Sequence, residues 1–189
     1  MSRPLPRISG TLGIVHRAGD EWRVLVVDAS GATPRVRSAE TVPASSPDRV
    51  RSMLEDAKPE LVLQVVPASA SVCRTCTLPD AEGETLDAAL RLQAETWLLA
   101  GTPEHRYGAA VLPKAAAESS RTGLVASWPE AARVEPAPAP GPVRWIPEPV
   151  AMAALLDAER PAEPLVSIDR GSGSVALALC HPGGAAIRA

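Results

Sequence analysis

Apolar and polar positions along this chain change period several times, and each change marks an element. Leu12 to Val15 and Trp22 to Asp28 are β-rich runs separated by Arg17-Ala18-Gly19-Asp20. That is the pattern of an antiparallel hairpin with a glycine-containing turn. Ala29-Ser30-Gly31-Ala32 leads into Pro34 to Val42, whose alternation at Val36, Arg37 and Ser38 predicts an edge strand. The period then becomes helical. Ser46 stands as an N-cap, Pro47 at the first helical position and Asp48 near the positive helix end, while Val50, Met53, Leu54 and Ala57 form one stripe. Lys58-Pro59 closes this helix, and the unbroken run Leu61 to Val66 predicts a central, buried strand. Three strands, a helix and a strand make an α/β arrangement with a mixed sheet.

Alternation returns over Ser71 to Leu78 and predicts another strand. Pro79-Asp80 turns into a second helix, with Thr85 or Asp80 as its cap and Gly101 as its end. Leu86, Ala89, Leu90, Gln93, Ala94 and Trp97 mark one face of that helix, and Leu92 and Leu99 another. A helix apolar on more than one side is buried on more than one side or meets a partner. Tyr107 to Leu112, Thr122 to Trp128 and Val143 to Ile146 are further strands. Pro129 to Pro142 is extended and semi-rigid, without a core of its own. Glu148-Pro149 opens a third helix with Met152, Leu155 and Leu156 at helical spacing. Leu165 to Asp169, Gly171-Ser172-Gly173 and Val175 to Cys180 then read as strand, tight turn and strand.

Composition narrows the function classes. The chain has 189 residues with a net charge of -3, so no basic field draws it to nucleic acid. Twenty prolines, roughly double the usual share, punctuate the element boundaries. With four Trp, one Tyr and no Phe, the core must be built from Val, Leu, Ile and Ala. Three irregularly spaced cysteines argue against a disulfide framework and for a reducing compartment. The N-terminus has no apolar segment of a signal peptide, and no stretch reaches the ~20 apolar residues of a membrane span. A cytoplasmic location is expected.

Few residues suggest chemistry. Cys73-Arg74-Thr75-Cys76 matches C-x-x-C, but on a strand positions three apart face opposite ways, so the two sulfurs cannot readily share a metal. His16, His105 and His181 lack ligand spacing, and no metal site is expected. There is no G-x-S-x-G elbow or P-loop, and Gly171-Ser172-Gly173 lacks the third glycine of a dinucleotide fingerprint because Ala176 stands there. No catalytic residue is assigned. Asp169-Arg170-Gly171-Ser172-Gly173 is the one suggestive segment: a glycine-rich tip exposes N–H groups to a phosphate, and a carboxylate before it can hold Mg²⁺ through water. An ordinary hairpin turn accounts for it equally well.

The order of these elements, with Leu12-Gly13-Ile14, Val65-Val66-Pro67, Cys73 to Pro79, Trp145 to Met152 and Ile168 to Gly173, resembles the PilM family of pilus-assembly proteins. That family belongs to the actin/Hsp70/sugar-kinase superfamily. Leu78-Pro79 through Ala109 is also similar to the cytoplasmic domain of the GspL family of type II secretion. The resemblance implies an α/β, actin-like (ribonuclease H-like) mixed sheet with an inserted small α/β subdomain and an incomplete second lobe. Residues 1–67 would form subdomain 1A. Residues 68–160 would form the inserted 1C-like subdomain, including a Pro-rich segment at 134–142, and residues 161–189 the start of a second lobe. The chain is accordingly expected to be the front part of a longer protein.

The same resemblance implies a non-catalytic assembly or scaffold protein of a type IV pilus or type II secretion platform. It would be peripheral to the inner membrane and bind a PilN-like membrane-protein peptide or a secretion ATPase. Asp169, Gly171, Ser172 and Gly173 would be the remnant of a nucleotide site, and Leu86, Leu90 and Trp97 the partner surface. Where ATP-binding members carry an Asp after Gly-Ile, this chain has Val15, followed by His16 and Arg17, which removes a main Mg²⁺-organising carboxylate. No cofactor is assigned to this chain, and ATP with Mg²⁺ is left to a full-length protein. The competing reading is an ATPase or sugar-kinase-like enzyme of the same superfamily, represented by its front half.

Overall fold

The opening hairpin forms as its alternation predicts. In the computed structural model, which describes residues 10–97, 106–112, 119–128, 134–159, 163–171, 174–181 and 184–188, strands β1 (Thr11–Ala18) and β2 (Glu21–Asp28) pair antiparallel. Gly19 makes the turn with a φ of 59°, a conformation that costs glycine little. β3 (Arg35–Pro43) pairs antiparallel with β2, and β4 (Leu61–Val66) pairs parallel with β1. A parallel pair needs a crossover, and α1 (Pro47–Ala57) supplies it. With β8 (Val143–Pro147) the sheet order is β3-β2-β1-β4-β8, so β3 is an edge and β4 is interior, as their patterns require.

The chain divides into two compact units, the first built on this sheet. Val15, Trp22, Val24 and Val62 share one sheet face and pack with Val50 and Leu54 of α1. Gly13 lies on that face, where a Cβ would stand 2.7 Å from Leu54 Cδ2, so the missing side chain sets how closely α1 approaches. Ser46 occupies the N-cap position, but its hydroxyl makes no capping bond; its carbonyl accepts the Arg49 N–H at 3.1 Å instead. Lys58 closes the helix in the left-handed region (φ 48°), donating its N–H to the Leu54 carbonyl at 2.9 Å.

Residues 134–142, expected to travel with the inserted subdomain, group instead with the first unit. The reason is Gln64, a fully buried amide on β4. Its Nε2 donates to the Glu135 carbonyl at 2.6 Å, and its Oε1 accepts the Ala137 N–H at 2.7 Å. Ala137 and Ala139 pack against the apolar cluster, and the Pro142 carbonyl accepts the Val62 N–H at 3.2 Å. Proline carries no N–H, so a proline-rich strap asks for few partners, and one side-chain amide can hold it.

The second unit comprises residues from Ala68 and from Pro147 onward. After a 3-10 turn at Ala68–Ala70 come β5 (Val72–Leu78), β6 (Tyr107–Val111) and β7 (Arg121–Ser127), an antiparallel sheet in the order β5-β7-β6. Helix α2 (Glu84–Trp97) begins one residue before Thr85. Thr85, one of the two expected caps, lies inside the helix; Gly83, at φ 60°, precedes it, and the Gly83 carbonyl accepts the Asp87 N–H at 3.1 Å. Gly101, expected at its end, lies outside the described residues. Helix α3 (Glu148–Glu159) is tied back by Glu148, whose Oε2 accepts the Ala68 N–H at 2.9 Å, and Pro149 beside it is fully buried. Strands β9 (Leu165–Gly171), β10 (Ser174–His181) and β11 (Gly184–Arg188) follow as an antiparallel sheet in the order β11-β10-β9. The pattern did not predict β11. Gly184-Ala185-Ala186-Ile187-Arg188 has one large apolar residue, and its ladder with β10 makes it a strand.

Strand β5 is buried on both faces. Cys73 packs with Ala126, Ala153, Leu156 and Ala178, whereas Cys76 packs with Leu78, Leu86, Leu90, Ala94 and Val125. Both thiols are free and belong to different clusters, which is the period-two outcome expected for a C-x-x-C on a strand. Burial pushes the Cys73 thiol up to about 11, against a smaller opposing effect of the Ser71 side chain, and also raises Cys76.

Two outcomes follow for stability and reactivity. Gln64→Leu keeps the volume but strands the Glu135 carbonyl and the Ala137 N–H, so unfolding free energy should fall by about 1–3 kcal/mol. A urea midpoint unchanged by the substitution would show that the strap is held by something else. Cys73 and Cys76 should resist a thiol reagent in the native state and react on unfolding. Between the unfolded value of 9.0 and the native value of about 11 for Cys73, the unfolded chain gives up the thiol proton while the native chain keeps it. Stability is therefore full below that window and falls as pH rises through it, which denaturation midpoints at pH 8 and pH 11 would register.

Candidate partner-binding surface

The two hairpins that the resemblance associates with phosphate differ in what they show. In the first, Val15 is fully buried between the sheet and α1, in the cluster that includes Trp22 and Leu54. A carboxylate there would be charged and desolvated, so valine fits the site physically. Arg17, two residues on, lies 5.3 Å from the Trp22 ring centroid and pairs through Nε with Glu135 at 3.6 Å. This part of the hairpin binds its own unit together. In the second hairpin, β9 and β10 pair Asp169 with Ala176 and Gly171 with Ser174. Ser172 and Gly173 lie outside the described residues, as does the side chain of Asp169. Among the described residues no group of three or more His, Cys, Asp or Glu could hold a metal ion.

Helix α2 is where side chains can be placed. Leu86 and Leu90, named from the sequence as partner residues, are 9% and 7% exposed and lie against Cys76, Leu78 and Val125. They cover the β5-β7-β6 sheet. Gly123 of β7 makes the close contact: a Cβ there would stand 2.9 Å from Leu90 Cδ1 and 2.8 Å from Cys76 Sγ. Leu92, on another side of the helix, is 64% exposed. Trp97 ends the helix, and its side chain lies outside the described residues.

A groove of ≈ 670 Å³ runs between α2 and β6. Leu90, Asp87, Arg91 and Glu95 line it from the helix, and Tyr107, Gly108 and Ala109 from the strand. β6 is an edge of its sheet, and Gly108, Ala109 and Ala110 are exposed. The sequence marked Leu90 but missed the groove. Asp87, Arg91 and Glu95 at i, i+4 and i+8 do lie along one helical face, yet nothing in the pattern says that a strand edge runs beside them.

A five-stranded mixed sheet crossed by α1, with smaller sheets and flanking helices, is the actin-like class of fold that the order of elements implies. No protein-family model matches the sequence, and no curated protein matches it. Solved structures do match. The chain is similar to a chain of a PilM–PilN type IV pilus biogenesis complex, at 17% identity and a TM-score of 0.63. That match covers 97% of this chain and 61% of the other, so this chain spans about three-fifths of that relative. It is also similar to the cytoplasmic domain of EpsL, an inner-membrane component of the type II secretion system of Vibrio cholerae. There the identity is 12% and the TM-score 0.50, over 94% of this chain and 71% of the other. What these likenesses establish is the fold.

Proposed function

We propose that this protein is a non-catalytic assembly component of a type IV pilus or type II secretion platform, acting in the cytoplasm beside the inner membrane. The observation that carries the reading is the fold shared with a chain of a PilM–PilN complex over 97% of this chain. Fold alone does not carry activity, so the reading also draws on the site. The second unit offers a groove beside a strand edge, a shape suited to an extended peptide. Its partner is the cytoplasmic segment of a PilN-like membrane protein. No helix among the described residues is long and apolar enough to cross a membrane.

Co-expression of this chain with the cytoplasmic segment of the PilN-like protein from the same genome tests the reading. The two are expected to co-purify and to bind with micromolar or tighter affinity in calorimetry. A segment that neither co-purifies nor gives a heat signal overturns the proposal.

The non-catalytic part has its own test. With Val15 in the core in place of a carboxylate, Mg²⁺ would have to be organised by Asp169 without that partner. Titration of ATP with Mg²⁺ into this chain should give no heat beyond dilution. Micromolar binding that disappears in Asp169→Ala would show a working nucleotide site and favour the enzyme reading.

A further inference from the structure

The geometry points to a docking surface on the outer face of the β9–β10 hairpin, which takes an amphipathic helix of another protein whose apolar stripe is bordered by acidic residues. Register builds this face. Val166 pairs with Leu179 and Ile168 with Leu177, so these four side chains share one side of the sheet. They are 57%, 43%, 60% and 40% exposed in that order. Ala178, between the two leucines, belongs to the opposite face, where it is fully buried in a cluster with Ala153 and Leu156 of α3. Elsewhere among the described residues, large exposed apolar side chains stand singly, as Val36 does on β3, Leu92 on α2 and Leu155 on α3. Isolated ones are ordinary, whereas a contiguous patch marks an interaction site.

Charge and shape name the occupant. On the same face the register sets Arg188 beside Leu177, and Arg170 lies two residues beyond Ile168. Asp169 is the one acidic residue of the three strands, and its pairing with Ala176 places it on the opposite face. The patch therefore has an apolar centre, a positive border and no negative position. A second copy laid on it would bring the same arginines and no carboxylate to meet them. A partner with Asp or Glu beside its apolar stripe supplies the complementary charge. The shape asks for a helix: a strand adds to a sheet edge, whereas a two-strand apolar face is covered by a helix stripe. In this chain α1, α2 and α3 each bury an apolar stripe on a sheet in that way. The surface shares no residue with the α2–β6 groove and does not depend on the assembly reading.

Two synthetic peptides of about eighteen residues, long enough to form a helix, test this with the full chain. Both carry leucine at i, i+3, i+4 and i+7; the flanking positions are glutamate in one and lysine in the other. In fluorescence anisotropy at low salt the glutamate peptide should bind about tenfold more tightly, and salt of about 1 M should erase the difference. The double substitution Arg170→Glu, Arg188→Glu should invert the preference. Ile168→Thr with Leu177→Thr removes apolar surface at two exposed positions and leaves a β-branched residue at each. This variant should weaken both peptides by about tenfold or more, while circular dichroism confirms the fold. Equal affinity for the two peptides, no binding of either, no inversion, or normal binding by the threonine variant overturns the proposal. So does a dimer, seen by light scattering, that the threonine variant dissociates, because a second copy then covers the face. A PilN-like segment captured equally well by both variants leaves the assembly reading standing in every one of these cases.

Discussion

A strand covered on both faces must carry two cores, and the second unit depends on one such strand. On β5 the side chains of Cys73 and Cys76 enter different clusters, one with α3 and β10, the other with α2 and β7. Period two forces this division, because successive residues of a strand point to opposite sides. Small, apolar and polarizable, cysteine fills such places well. Moving β5 by one residue would exchange every contact in both clusters, so register here is specified from two sides at once.

The first unit solves a different problem. Its sheet buries one face under α1 and under a strap rich in proline, and proline supplies no N–H for a ladder. Gln64 resolves this by placing a side-chain amide where a neighbouring strand would offer backbone groups. A buried polar group is costly unless its partners are met, and here both ends of the amide are met. Arg17, Trp22 and Glu135 add a second link between β1, β2 and the strap. Residues distant in sequence are thereby joined to the sheet with few backbone bonds of their own.

The second unit exposes charged residues of α2 beside β6, and it also exposes Val166, Ile168, Leu177 and Leu179 on β9 and β10. The apolar stripe of α2 is consumed by the sheet, so its charged residues and the edge of β6 remain for a ligand. Edge strands invite pairing and proteins usually blunt them.

Much of the architecture was legible in the residues because it depends on short-range periodicity. The opening hairpin, the Pro47 helix, the interior position of Leu61 to Val66 and the opposed cysteines all follow from spacing. Tertiary structure decided the rest. Nothing near Gln64 announces that it will hold residues some seventy positions away, since that bond exists only once β4 and the strap are adjacent. Gly184 to Arg188 becomes a strand through its partner's ladder rather than its own propensity. For Leu86 and Leu90, periodicity shows that their face is apolar and cannot say what it packs on; in the structure it packs on the β5-β7-β6 sheet, with Leu90 also lining the groove. The groove is the clearest case. Asp87, Arg91 and Glu95 share a face by helix geometry alone, but only the fold lays the open edge of β6 alongside them, because pairing between segments far apart in sequence is set by packing and not by local pattern.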